Sequence, residues 1–290
     1  MKIIDIINQN KPILSFEVFP PKTSTAFENV KAATEKIAAL SPAFMSVTYG
    51  AGGGTSEFTL EIAKNLKNNF GVEPLEHLTC VSSSKETVHK RLEEIKEAGI
   101  ENIMALRGDM PQEFSPEDID GLDYHYATEL INDIKAFNPS FCLGGACYPE
   151  IHPESANRNE DIIHLKEKVD AGVEFLTTQM FFDNNLLFNF LYRIREKGIN
   201  VPVVAGIMPI TNAKQIERTI KLSGSHIPQR YKHLLDVFGT NPGAMEQAGI
   251  IYATDQIIDL FANGINAVHV YTMNKPDVAA KIQANLSEML

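Results

Sequence analysis

Cysteine is scarce in this chain of 290 residues: Cys80, Cys142 and Cys147 are all there is. Their number is odd, no two form a CxxC pair, and each lies in an apolar, strand-like run. That argues against a disulfide scaffold or a cysteine metal site and for three buried free thiols. No apolar run approaches the length of a membrane span. Asp5 and Asn8 interrupt the apolar N-terminus, against a signal-peptide core, so residence in the cytoplasm is the default expectation. Base is in deficit: 26 Lys and Arg face 37 Asp and Glu, a net charge of −11. This disfavours nucleic acid and anionic membrane as partners. No GxGxxG turn follows an early strand, and no Walker lysine follows a glycine-rich loop. His152 and His164 lie twelve residues apart without a third ligand at suitable spacing, so no metal site is expected. No linker or composition shift marks a boundary, and one domain over residues 1–290 is expected.

What is there is alternation. Eight apolar runs read as strands: Ile13–Phe19, Phe44–Tyr49, Leu75–Val81, Asn102–Arg107, Phe141–Tyr148, Phe175–Phe182, Val201–Met208 and Ala267–Met273. Amphipathic segments lie between them. Thr25 with Glu28, and Ser83 with Glu86, have capping-box spacing, and Asn241-Pro242 reads as an N-cap with proline at the first helical position. One connector recurs: Ala98-Gly99-Ile100, Ala171-Gly172-Val173, Lys197-Gly198-Ile199 and Asn263-Gly264-Ile265. In each, glycine takes the left-handed position after a helix, and the next apolar residue folds back. Helix, glycine stop and apolar strand, repeated, imply parallel strands with helical crossovers. Eight units fit an α/β fold, the (β/α)8 barrel, with a doubly wound sheet as runner-up. Pro111 to Asp123 is a polar insertion, and Ser225 to Asn241 a second long connection.

In such a barrel, chemistry gathers at the C-terminal strand ends. Those ends carry Glu17, Thr48, His77, Arg107 with Asp109, Tyr148, Gln179 and Tyr271. In the first strand Leu14, Phe16 and Val18 share one face, while Ser15, Glu17 and Phe19 share the other. Glu17 therefore points away from the greasy side, either paired with Arg107 as a plug or used as an acid. His77 reads as a core histidine or a ligand, and Arg107-Gly108-Asp109 as a salt-bridged turn or a binding element. Tyr148 and Tyr271 also suit ordinary packing. Gln179, inside an apolar run, needs partners that a polar ring would supply. The loop from Tyr49 to Thr55 is flexible, or brings backbone close to a flat or phosphorylated ligand.

Together these residues resemble a known family, the bacterial methylenetetrahydrofolate reductases. The motifs are SFEVFPPKT (15–23), SVTYGAGG (46–53), HLTC (77–80), ALRGDMP (105–111), YPEIHPE (148–154), LKEKVDAG (165–172), TTQMFFD (177–183), GIMPITN (206–212) and YTMNK (271–275). They span nearly the whole chain in the family's order. The resemblance implies a barrel that holds FAD without a Rossmann domain. It implies hydride transfer from NADH or NADPH to the flavin, then to 5,10-methylenetetrahydrofolate, giving 5-methyltetrahydrofolate. Glu17 stands at the general acid, and Asp109 at the acid beside flavin and pterin. Gln179, Gln215 and Lys275 match folate contacts, and Thr48 and Gln179 match positions near the nicotinamide. The FAD-contacting set falls on Tyr49, Ala51, His77, Arg107, Gly108, Asp109, Ala127, Tyr148, His152, Asp161, His164, Glu167 and Lys168. Self-association is also implied, with no segment marking an interface.

The implied chemistry is physically coherent. A neutral methylene bridge accepts hydride poorly, and protonating a ring nitrogen opens it to an electrophilic iminium. An acid doing this near neutral pH needs a raised pKa, for which Phe16, Phe19 and Pro20 are expected to supply an apolar wall. An ionised second carboxylate, Asp109, would steady the cation. The chain departs from its relatives at His164 and Glu167, where others carry Asn and Arg, and at Thr219, where some place an aromatic. With the last residue at Leu290, allosteric control by an added regulatory domain is not expected. The competing readings are a pterin-binding barrel that transfers a one-carbon group without redox chemistry, and a non-catalytic barrel. A Schiff-base aldolase is disfavoured, since Lys275 lies just beyond its strand.

Overall fold

All eight apolar runs form strands. They are β1 (Ile13–Val18), β2 (Met45–Val47), β3 (Pro74–Thr79), β4 (Asn102–Leu106), β5 (Cys142–Cys147), β6 (Phe175–Thr178), β7 (Val203–Ile207) and β8 (Ala267–Tyr271). Each pairs in parallel with its successor, and β8 pairs back onto β1, closing a (β/α)8 barrel. The computed structural model describes every residue except 22, 50–55, 112–113, 215, 217–219 and 221–222, with only the backbone described at 56 and 116. Most strands stop short of the apolar run that predicts them. Phe19, Tyr49, Tyr148 and Gln179 lie just past the last ladder residue, on the loops of the mouth.

The period of two decides what fills the barrel. Leu14, Phe16 and Val18 of β1 are buried in the layer between sheet and helices. The opposite parity points inward. Phe44, Leu75, Met104, Cys142, Phe175, Val204 and Ala267 form an apolar inner cluster with Ile3, from the short N-terminal helix Ile3–Ile7. Fully burying a side chain of this size stabilises by roughly 1.5–3 kcal/mol. Two residues further along four of these strands, the inward positions turn polar: Ser46, His77, Thr177 and His269. The apolar floor therefore carries a polar storey directly beneath the mouth.

The glycine connectors behave as predicted. Gly99, Gly172, Gly198 and Gly264 all have positive φ. After them the amides of Ile100, Ile199 and Ile265 bond back to Ile95, Ile194 and Leu260 at 3.1, 3.0 and 2.9 Å. This is the Schellman pattern, and it turns each helix directly into the next strand. Asn241 caps the helix Pro242–Ala262 through Ala244 N, as its dipeptide predicts.

Three local expectations need correction. Thr25 caps nothing: its segment opens as a 3-10 turn, Ser24–Ala26, and its hydroxyl meets Thr23 at 3.0 Å. Ser84, not Ser83, caps the helix Lys85–Glu97, because its hydroxyl reaches Thr87 N at 3.2 Å. The long connection after residue 225 is largely helical, Gln229–Phe238, with Tyr231 buried against Phe182.

Candidate active site

Glu17 is the centre of the polar storey. Its carboxyl lies 3.3 Å from Ser46 Oγ, 3.8 Å from His77 Nε2 and 4.0 Å from His269 Nε2. The register puts it beside Ser46 of β2 and Tyr271 of β8. No Lys or Arg pairs with it among the described residues, and the side chain is 21% exposed. Burial pushes Glu17 up to about 7, against the pull of the Ser46 hydroxyl whenever that proton points at the carboxyl. Burial also drives His77 down to about 4 and His269 down to about 3, so both rings are neutral. Tyr271 donates to Thr178 O at 2.6 Å, and its hydroxyl is held far above its ordinary range by burial and by the Glu17 charge. Glycine at 206 permits this. An added Cβ there would stand 2.3 Å from Thr178 O and 2.5 Å from the Tyr271 hydroxyl.

Two of the three residues expected to wall Glu17 do not. Phe16 faces the outer layer, by the same alternation that turns Glu17 inward, and Phe19 is exposed. The exit of β1 is held from β8 instead. Thr272 Oγ1 donates to Glu17 O at 2.6 Å. Asn274, in the left-handed region, takes the Phe19 amide at 3.0 Å and donates to Phe19 O at 2.9 Å.

A second group lies past β4 and β5. Arg107 does not pair with Glu17. Its guanidinium forks onto Glu154, with both bonds at 2.6 Å, and Glu154 is 57% exposed. Gly108 has φ +91, and a Cβ there would meet Val81 at 2.7 Å. Asp109 is exposed on the rim, close enough for its charge to raise Tyr148, which burial chiefly pushes up to about 12. Tyr148 meets His152 edge-on at 4.6 Å, and the His152 amide donates to Asp161 at 3.1 Å. Lys168, from the helix Arg158–Asp170, donates to Ala146 O at 2.8 Å. His164 and Glu167 are exposed on that same helix. Ala127 opens the helix Ala127–Phe137, and Tyr49 lies near Arg91, whose guanidinium carbon is 6.0 Å from its ring centre.

The third group belongs to β6, β7 and β8. The carbonyl oxygen of Gln179 accepts from Met180 N at 2.8 Å, while its amide nitrogen has no partner among the described residues. Thr177, one inward position below, has a buried hydroxyl without a partner among the described residues. Lys275 reaches Thr211 Oγ1 at 2.7 Å. Thr48 is half-buried at the end of β2, its amide on Val18 O at 3.0 Å. Ala51, Gln215 and Thr219 lie outside the described residues.

The barrel thus brings an acid with a shifted pKa, three cations and unfilled polar groups to one mouth. Comparison with known proteins assigns the lineage. The methylenetetrahydrofolate reductase family model matches residues 2–287. The chain belongs to that family. It is 35% identical to the 5,10-methylenetetrahydrofolate reductase of Pectobacterium carotovorum, over 94% of this chain and 90% of that one. With the Escherichia coli K12 enzyme of the same name it shares 32% identity, over 93% and 88%. The Arabidopsis thaliana methylenetetrahydrofolate reductase (NADH) 1 is 35% identical, but this chain spans only 51% of it. Among solved structures, an uncharacterized Clostridium thermocellum protein that binds two copies of 5-methyl-5,6,7,8-tetrahydrofolic acid overlays with TM-score 0.68 at 14% identity, over 100% and 99% of the two chains. At that identity the likeness is one of fold.

The site residues fit the FAD that the family implies. Arg107, Lys168 and the amides opening the helix at Ala127 suit an anionic, phosphate-bearing group, and the orphaned Thr177 hydroxyl and free Gln179 amide suit a polar ring edge. Several site residues escape the sequence reading. Glu154, Thr211 and Asn274 lie within the family motifs but have no role assigned there, and His269 lies in none of them. For His269 a signal exists: it is the one polar residue in Ala267–Val270, with the parity of Tyr271.

Proposed function

We propose that this chain reduces 5,10-methylenetetrahydrofolate to 5-methyltetrahydrofolate, taking electrons from NADH or NADPH, with residues 1–290 acting as one catalytic domain. The observation that carries this reading is Glu17: a largely desolvated acid under the barrel mouth, paired with no Lys or Arg among the described residues and pushed up to about 7. Such an acid still holds its proton near neutral pH and can give it to a substrate nitrogen. It would protonate the second nitrogen of the bridging ring, opening the ring to an iminium that accepts hydride. Asp109, on the rim by Tyr148, would face the developing positive charge. Gln179 and Lys275, with Gln215, would hold the folate, and Thr48 would stand near the nicotinamide.

Bound FAD would supply the two-electron carrier between nicotinamide and folate. Arg107, Lys168, His152 and the Ala127 helix start would hold it, together with Tyr49, Ala51, His77, Gly108, Tyr148 and Asp161. Glu167 and His164 are exposed on the helix that carries Lys168. The names of the bacterial relatives support the substrate, and the plant relatives named as NADH enzymes support the donor.

An absorbance spectrum tests the reading. Purified protein should be yellow, bleach on addition of reduced nicotinamide, and recover on addition of methylenetetrahydrofolate. Colourless protein that FAD does not reconstitute, yet that transfers a one-carbon group, would instead establish the non-redox pterin barrel.

A further inference from the structure

Behind Glu17 runs a row of hydrogen-bonding groups that the reaction above does not use. Ser46 Oγ lies 2.9 Å from His269 Nε2, and Ser15 Oγ lies 2.8 Å from His269 Nδ1 and 3.0 Å from Val268 O. Ser15, Ser46 and His269 are all buried, and the imidazole stacks on Phe44 at 5.7 Å. Three strands far apart in sequence supply the row.

Its far end has a fixed sense. A backbone carbonyl only accepts, so the contact to Val268 O is used only when Ser15 donates to it. Ser15 then accepts from Nδ1–H. A neutral imidazole protonated at Nδ1 is an acceptor at Nε2, and Ser46 must fill it with its single proton. The shorter contact, 2.9 Å against 3.3 Å to Glu17, agrees. Ser46 then turns lone pairs toward Glu17. The opposite direction leaves the Val268 contact unused. We infer that His269, anchored through Ser15 on Val268, is a positioning residue that draws the Ser46 proton away from Glu17 and so keeps this acid protonated until substrate takes the proton.

The other titratable groups facing Glu17 do not compete. His77 of β3 is neutral, and the Tyr271 hydroxyl is engaged by Thr178 O. The role as a proton donor rests on the proposed reductase reading, but the polarity of the row does not.

The test uses the full chain without added folate. With ¹⁵N-labelled histidine, His269 should be neutral and protonated at Nδ1 at pH 7, its signal assigned by loss in a His269 variant. With ¹³C-carboxyl glutamate, Glu17 should titrate about one pH unit lower in His269→Phe, because the freed Ser46 hydroxyl donates to the carboxylate. Adding Ser46→Ala to that variant should move the titration back up. An Nε2–H tautomer or an imidazolium in the wild-type protein overturns the inference, whether or not any variant folds. An unchanged or raised Glu17 titration in His269→Phe overturns it as well. Neither readout needs turnover, so failure of the reductase reading would be seen separately, in the absorbance experiment.

Discussion

Two glutamates of the same barrel, Glu76 fully buried and Glu17 about one-fifth exposed, do opposite work. Glu76, on the outer face of β3, meets Arg91 at 2.7 Å, and Arg91 also takes Glu94 at 3.0 Å. Glu17, inside the mouth, meets only hydroxyl and neutral imidazole groups among the described residues. Burial pushes both carboxyls up to about 7, Glu76 against the pull of its guanidinium. Their acidities therefore do not tell them apart. The partner does. If Glu76 changes charge, the buried Arg91 loses its shortest carboxylate contact, so the fold resists the change. If Glu17 changes charge, no cation is stranded, and the proton is available for use.

The largest effect that would break this comparison is chemical. Glu17→Gln should slow folate reduction by roughly 10²–10⁴-fold while electron uptake from the nicotinamide continues. Glu76→Gln should leave turnover per folded molecule intact. Stopped-flow measurement of the two half-reactions separates these, and a Glu17→Gln protein with normal folate reduction would remove the acid assignment.

The next effect is structural and runs the other way. Glu76→Gln should destabilise the fold by about 3 kcal/mol, since the buried Arg91 loses the carboxylate it meets at 2.7 Å. The measurement is the urea midpoint at pH 8. Equal loss from Glu17→Gln would erase the distinction.

The smallest effect sharpens it through pH. Glu17 has a folded value of about 7 against an ordinary 4.5. Between those values the unfolded chain has released the proton that the fold still binds, so stability from this group falls as pH rises. The contribution is complete below the ordinary value and gone above about 7. The shift corresponds to about 3 kcal/mol. Wild type minus Glu17→Gln isolates it, because Glu76 titrates in both. The difference in unfolding free energy should shift against wild type between pH 4.5 and 7, and a flat difference would mean that Glu17 is not desolvated.

The motifs SFEVFPP and ALRGDMP locate Glu17, Arg107 and Asp109 at strand ends, and alternation alone turns Glu17 inward. The same rule, applied fully, would have placed Phe16 outside and removed it as a wall. Capping positions were read to within one residue at Ser84 and correctly at Asn241. The partner of Arg107 was not legible, because Glu154 reaches it from the loop after β5 and competes there with every other acid at the mouth.

The order of strands, helices and glycine stops, and the inward parity of each strand, were determined by the sequence alone. These are local properties, set by φ/ψ preference and by a side-chain period of two. The site's partnerships were decided only by closure of the barrel. Ser46 and His269 are 223 residues apart, and Ser15 and His269 are 254 apart. They meet because β8 pairs with β1 in the register Ser15↔His269, and a shift of one residue would turn the histidine out of the barrel. Burial there, not residue type, separates an ordinary glutamate from one that keeps its proton at neutral pH.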